Sequence, residues 1–127
     1  MKVNLITPPD KLLNRNPSYL LVAPSDRIKQ DFNEIVKTME QDINLYYWEE
    51  SEMDTAWLID VANIVDTIIL DIDNVVQNQW LIGYFLGFNK TYYLTTDEKR
   101  VYNNICMNRI YDLSFINQKA GGSIEEK

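Results

Sequence analysis

Tyr19-Leu20-Leu21-Val22-Ala23-Pro24-Ser25-Asp26 is the stretch on which the fold turns. Its five leading apolar residues show no polar alternation, so they suit a strand covered on both faces, as in the middle of a parallel sheet. Pro24 stops the strand. Ser25 then stands where a helix N-cap belongs, and Asp26 falls in the first turn, near the positive end of the helix dipole. Ile28, Phe32, Ile35, Val36 and Met39 follow at helical spacing and predict one apolar stripe on a helix from Asp26 to about Gln41.

The same alternation continues outward. Ile43 to Trp48 reads as a strand, and Ser51-Glu52-Met53-Asp54 has capping-box spacing that opens a helix through about Val65. Thr67-Ile68-Ile69-Leu70-Asp71 is another buried strand, Asn74 to Phe88 a helix with little polar surface, and Thr91 to Leu94 a further strand. Thr95-Thr96-Asp97-Glu98 repeats the capping-box spacing before a helix that runs to about Tyr111. Upstream, Val3 to Thr7 reads as a strand stopped by Pro8-Pro9, with a polar loop from Asp10 to Pro17. Strands alternating with helices predict an α/β three-layer sandwich with a mostly parallel sheet. One domain is expected over residues 1–118, with a flexible tail over 119–127.

Composition narrows the chemistry. The chain contains no histidine, which removes Ser-His-Asp and Cys-His sites and any imidazole acid, base or zinc ligand. The single cysteine, Cys106, can form neither an internal disulfide nor a thiolate metal site. It reads as a small apolar residue in a reducing compartment. No run approaches the 18 apolar residues of a membrane span, and the opening MKVNLITPPDK is too short for a signal peptide, so a cytoplasmic location is expected. Twelve basic residues against 19 acidic ones give a net charge of −7, which repels nucleic-acid phosphate and anionic membranes.

In an open parallel sheet, ligands bind beyond the carboxyl ends of the strands, where the strand order reverses. The residues at those ends are Ser25 and Asp26, then Glu49 and Glu50, then Asp71 and Asp73, with Asn74 and Thr95 beside them. Helix capping is a sufficient reason for Ser25, Ser51, Asp73 or Asn74, and Thr95. Asp71 and Asp73, at alternate positions just before a helix, place two carboxylates on one side of the chain. Such a pair can hold ribose hydroxyls, a divalent ion or an acid–base proton. Trp48 and Trp80 are candidates to flank the crevice and stack on a base. Neither Gly-x-Gly-x-x-Gly nor a Walker loop occurs, and no cofactor or metal site is expected. Gly83 and Gly87, four residues apart, predict close packing of their helix against the sheet or a neighbour. The apolar surface of the helix from Asn74 to Phe88 exceeds one buried stripe, so a homodimer is expected.

Asp60-Val61-Ala62-Asn63-Ile64-Val65-Asp66-Thr67-Ile68-Ile69-Leu70-Asp71, followed by Trp80-Leu81-Ile82-Gly83-Tyr84-Phe85-Leu86-Gly87-Phe88-Asn89-Lys90-Thr91-Tyr92-Tyr93-Leu94, resembles the nucleoside 2-deoxyribosyltransferase superfamily. Asp66 matches the aspartate before the family's strand, Gly83-Tyr84 the helix glycine and tyrosine, and Lys90 the lysine before the next strand. Tyr19 to Ala23 with Pro24 resembles the opening strand, so the likeness spans about residues 19 to 95. It implies a flavodoxin-like Rossmann sheet of about five strands and a nucleoside or nucleotide ligand. The family's nucleophilic glutamate, which attacks the sugar C1′, falls at Leu81, and a leucine has no lone pair for that attack. Val3 to Thr7 lies outside the family core. Acidity, small size and richness in Asn, Ile, Tyr and Lys also resemble the small accessory proteins of tailed bacteriophages, which implies a host cytoplasm.

Three readings follow. In the first, the chain is a non-catalytic nucleotide- or nucleoside-binding module. The second makes it a protein-interaction scaffold, for example in host takeover, whose partner is another protein. The third is an N-glycosidase or deoxyribosyltransferase that uses Asp71 or Asp73.

Overall fold

The structure is a computed structural model and describes residues 3–8, 10, 15–39, 41–51, 54–75, 77–95, 109–110 and 113. In chain order the elements are β1 (Val3–Ile6), β2 (Ser18–Val22), α1 (Asp26–Val36), β3 (Ile43–Trp48), α2 (Thr55–Ile64), β4 (Thr67–Asp71) and α3 (Trp80–Tyr84). A 3-10 turn (Phe85–Gly87), β5 (Thr91–Leu94) and β6 (Arg109–Ile110) complete them. The strands form one six-stranded sheet in the order β1-β3-β2-β4-β5-β6, and every neighbouring pair is parallel. Without β1, this is the flavodoxin-like order, with the reversal between β2 and β4.

The central strands explain the sandwich residue by residue. All five residues of β2 are buried, as are all five of β4. Their side chains alternate between two cores, as a period of two requires. Leu20, Val22, Ile68 and Leu70 join Trp57, Leu58 and Val61 of α2 and Leu81, Ile82 and Phe85 beyond β4. Tyr19, Leu21 and Ile69 join Ile28, Phe32 and Val36 of α1 on the other face. Tyr19 meets Phe32 edge-to-face at 5.4 Å, a contact worth about 1 kcal/mol beyond area burial.

Three helix boundaries differ from the sequence expectation. α1 ends at Val36 rather than Gln41, because the Thr38 amide and hydroxyl both donate to the Ile35 carbonyl, at 3.0 and 2.6 Å, and turn the chain. Met39 is nonetheless buried, so its place in the apolar stripe holds. α2 begins at Thr55, with Asp54 rather than Ser51 as its cap; the Asp54 carboxylate accepts from the Trp57 amide at 2.9 Å. The helix expected from Asn74 to Phe88 shrinks to Trp80–Tyr84 and the 3-10 turn. Glu50 is the cause: its Oε2 accepts from the amides of Gln77 and Asn78 at 2.8 Å each and from Asn78 Nδ2 at 3.2 Å, holding that segment as a loop.

Most of the helix expected from Thr95 lies outside the described residues, but its end is corrected. Arg109–Ile110 pairs with Tyr93–Leu94 as a sixth strand, one more than expected. Cys106, Glu52, Met53 and the tail over 119–127 also lie outside the described residues. β1 forms the outer edge beyond β3, where Asn4 Nδ2 donates to Asn44 Oδ1 at 3.1 Å. No helix among the described residues is long and apolar enough to cross a membrane.

Candidate functional site

The sheet reverses its order where β2 and β4 end side by side, and the chain is strained there. Ala23, one residue past β2, has φ of 53°, a left-handed conformation that costs an L-residue about 1–2 kcal/mol. It is held from both sides. Its amide donates to the Trp48 carbonyl at 2.8 Å, and its carbonyl accepts from Asn74 Nδ2 at 2.8 Å. The bend turns Pro24 and Ser25 away from the sheet so that α1 starts above it. Ser25 is the expected N-cap, accepting from the Ile28 amide at 3.3 Å.

Asp71, the last residue of β4, faces that helix start. Its Oδ2 accepts from the Ser25 amide at 3.0 Å, and the Ser25 hydroxyl also bonds it. Only 4% of Asp71 is exposed. Burial pushes its pKa above the ordinary 3.8; the Ser25 bonds and Arg27 act the other way, and the charge of Asp73 adds to the rise. Asp73 is exposed and accepts from the Thr95 hydroxyl at 2.7 Å, which ties the β4 loop to the end of β5.

The remaining candidates divide. Asp26 and Glu49 are brought together through Lys29, whose ammonium pairs with Glu49 and lies 3.9 Å from Asp26. Lys29 also lies over the Tyr47 ring at 5.8 Å. Trp80 is 47% exposed and meets Tyr84 edge-to-face at 5.9 Å, with a weak 3.4 Å bond to Asn78. Trp48 does not flank an open crevice: it is 1% exposed, and its Nε1 finds no acceptor among the described residues. Gly83 and Gly87 do not pack against the sheet either, because a Cβ at either would meet nothing within 4 Å. Sequence reasoning missed Ala23 and Lys29, which hold the site in shape, and placed Glu50 at this edge without showing that it holds the Gln77–Asn78 loop. No local signal marks the bend at Ala23, because a following proline favours extended backbone rather than the left-handed conformation found there.

Two of the residues that carry the family likeness, Asp66 and Lys90, sit elsewhere. Asp66 lies at the opposite end of the sheet, where its Oδ2 accepts from the Ser18 amide at 2.9 Å and the Ser18 hydroxyl at 3.2 Å. The Asp66 amide in turn donates to the Ser18 hydroxyl at 2.9 Å. Lys90 donates to the Val65 carbonyl at 2.6 Å at that same end. Leu81 is fully buried in the core that contains Leu70 and Ile72. Among the described residues no group of three or more Cys, Asp or Glu side chains is placed to hold a metal ion.

Fold and site together define a doubly wound parallel α/β protein with an acidic, carboxylate-lined switch point. Comparison with protein-family models, with curated proteins and with solved structures finds no match for this chain.

Proposed function

We propose that the chain is a non-catalytic binding module for a nucleoside or nucleotide, seated at the switch point between β2 and β4. The observation that carries this reading is Asp71. A carboxylate 4% exposed, with its pKa raised by burial, is a costly residue at a position where a neutral side chain could accept the same Ser25 bond. Such residues concentrate at binding and catalytic sites. A ligand rich in hydroxyl donors, such as a ribose, supplies hydrogen bonds that Asp71 and Asp73 can accept.

The electrostatics favour a nucleoside over a nucleotide. The start of α1 is the natural phosphate position in such a sheet, and Asp71 already places a carboxylate against it. Asp26, Glu49 and Asp73 add negative charge around it, with Lys29 committed to the first two. The likeness of residues 19–95 to nucleoside 2-deoxyribosyltransferases supports the same ligand class. Leu81, buried at the position of that family's nucleophile, supports binding rather than turnover.

A thermal-shift panel of nucleosides, nucleoside monophosphates, NAD and ADP-ribose tests the proposal. A ligand at 100 times its dissociation constant adds about 2.7 kcal/mol, a shift of several degrees. A nucleoside is expected to give that shift, and Asp71→Asn and Asp73→Asn to abolish it. No shift across the panel sinks the proposal in favour of the scaffold reading. Base release from a bound nucleoside, lost in Asp71→Asn, overturns its non-catalytic part.

A further inference from the structure

The helical segment after the switch point buries one apolar face fully and the flank beside it only in part. Leu81, Ile82 and Phe85 face the core. Trp80, Gly83, Tyr84, Gly87 and Phe88 form the flank beside that face, where Tyr84 and Phe88 also pack partly against the core and meet the Phe85 ring at 5.1 and 5.6 Å. There Trp80 is 47% exposed, both glycines are exposed, and Tyr84 and Phe88 are half-buried. The rings form a continuous row, with Trp80 to Tyr84 at 5.9 Å and Tyr84 to Phe88 at 5.4 Å. Lys90 closes the far end, 6.0 Å from the Phe88 ring.

Neither glycine is explained by a contact among the described residues. Neither has positive φ, and a Cβ at either would enter open space. Glycine is among the poorest helix formers, so alanine would serve the isolated chain better at Gly83, which lies within α3. Together they leave open space that a second surface laid against this flank can use. What that surface is follows from charge and shape. From Asn74 to Asn89 the sequence has no Asp, Glu, Lys or Arg, in a chain whose net charge is −7. Two copies of so acidic a protein repel wherever their charged surfaces meet, and this segment is where they can approach without that cost. A foreign partner selected by charge would instead be basic and drawn to the acidic surfaces. The face is also complementary to itself: the aromatic row is a ridge, and the glycines beside it are a trough. A two-fold axis sets the ridge of one copy over the trough of the other.

We propose that this face is the contact between two copies of the chain, with Trp80 and Tyr84 of each packed over Gly83 and Gly87 of the other. The inference does not depend on the ligand proposal. Sedimentation of the full chain over a dilution series tests it. The expected species has twice the 15.0 kDa mass of one chain and dissociates on dilution. Gly83→Gln is expected to weaken the dimer at least about tenfold while melting no lower than the parent when both are monomeric, because glutamine is the better helix former. Trp80→Lys is expected to weaken it as well, and Leu5→Lys, on the edge strand β1, to leave it unchanged. A chain that is monomeric throughout overturns the proposal. So does a dimer that survives both Gly83→Gln and Trp80→Lys, or one lost on Leu5→Lys.

Discussion

Asp66 and Asp71 bracket the same strand, β4, and their surroundings are opposite. Asp66 is exposed, yet its carboxylate takes two bonds from Ser18 while its amide returns a third to the Ser18 hydroxyl. Asp71 is buried, is bonded through Ser25, and lies close enough to Asp73 to feel its charge. One end of the strand is a reciprocal lock between β2 and β4. The other holds a charge that the fold itself does not need. The difference separates a carboxylate that stabilises the sheet from one that the sheet tolerates.

The sharpest way to break the comparison is Asp66→Ala. It leaves the buried Ser18 amide without its carboxylate and is expected to cost about 2 kcal/mol in chemical denaturation, with ligand binding unaffected. Asp71→Asn should do the reverse: binding is lost while stability at neutral pH rises. The sign follows from linkage. Because its folded pKa is raised, the native chain binds more protons than the unfolded one at pH values between the ordinary 3.8 and the folded value. The stability tied to Asp71 therefore falls as pH rises through that window, and the full penalty stands above it. Denaturation curves of parent and Asp71→Asn are expected to differ at pH 7 and to converge in acid. If Asp71→Asn is instead the less stable at pH 7, Asp71 is a second structural lock and the contrast with Asp66 collapses.

Two smaller effects sharpen it. Ala23→Gly relieves the left-handed strain beside Asp71 and should raise stability by about 1 kcal/mol, measurable as a higher denaturation midpoint. Lys29→Gln removes the link from α1 to Glu49. With both side chains partly exposed, its cost is expected to be only about 0.5 kcal/mol, and a much larger loss would show that the rim is structurally rigid.

The strands were legible because burial on both faces leaves an unmistakable apolar run: Ile43–Trp48, Thr67–Asp71 and Thr91–Leu94 match the structure to the residue. The N-cap at Ser25 was legible for a local reason, since its bond reaches only three residues ahead. Helix lengths were not. The apolar spacing from Val75 to Phe85 suits a helix, and only a carboxylate some 27 residues upstream, Glu50, keeps Gln77 and Asn78 out of it. The site shows the same division. Ser25 and Asp71 follow from their positions at strand ends. The left-handed Ala23 depends on Trp48 and Asn74, and the burial of Trp48 depends on tertiary packing, neither of which a local pattern displays.

The outermost strand carries a consequence for how the molecule is made. β1 precedes the other described elements but pairs, among the described residues, only with β3, with Val3 opposite Ile43, forty positions later. On a ribosome it emerges first and has no partner until Ile43–Trp48 has followed it out. β2 emerges well before β3 too, yet it lies on the far side of β3 from β1 and also borders β4. Of the described strands, the one made before the others can close only onto a neighbour built after it.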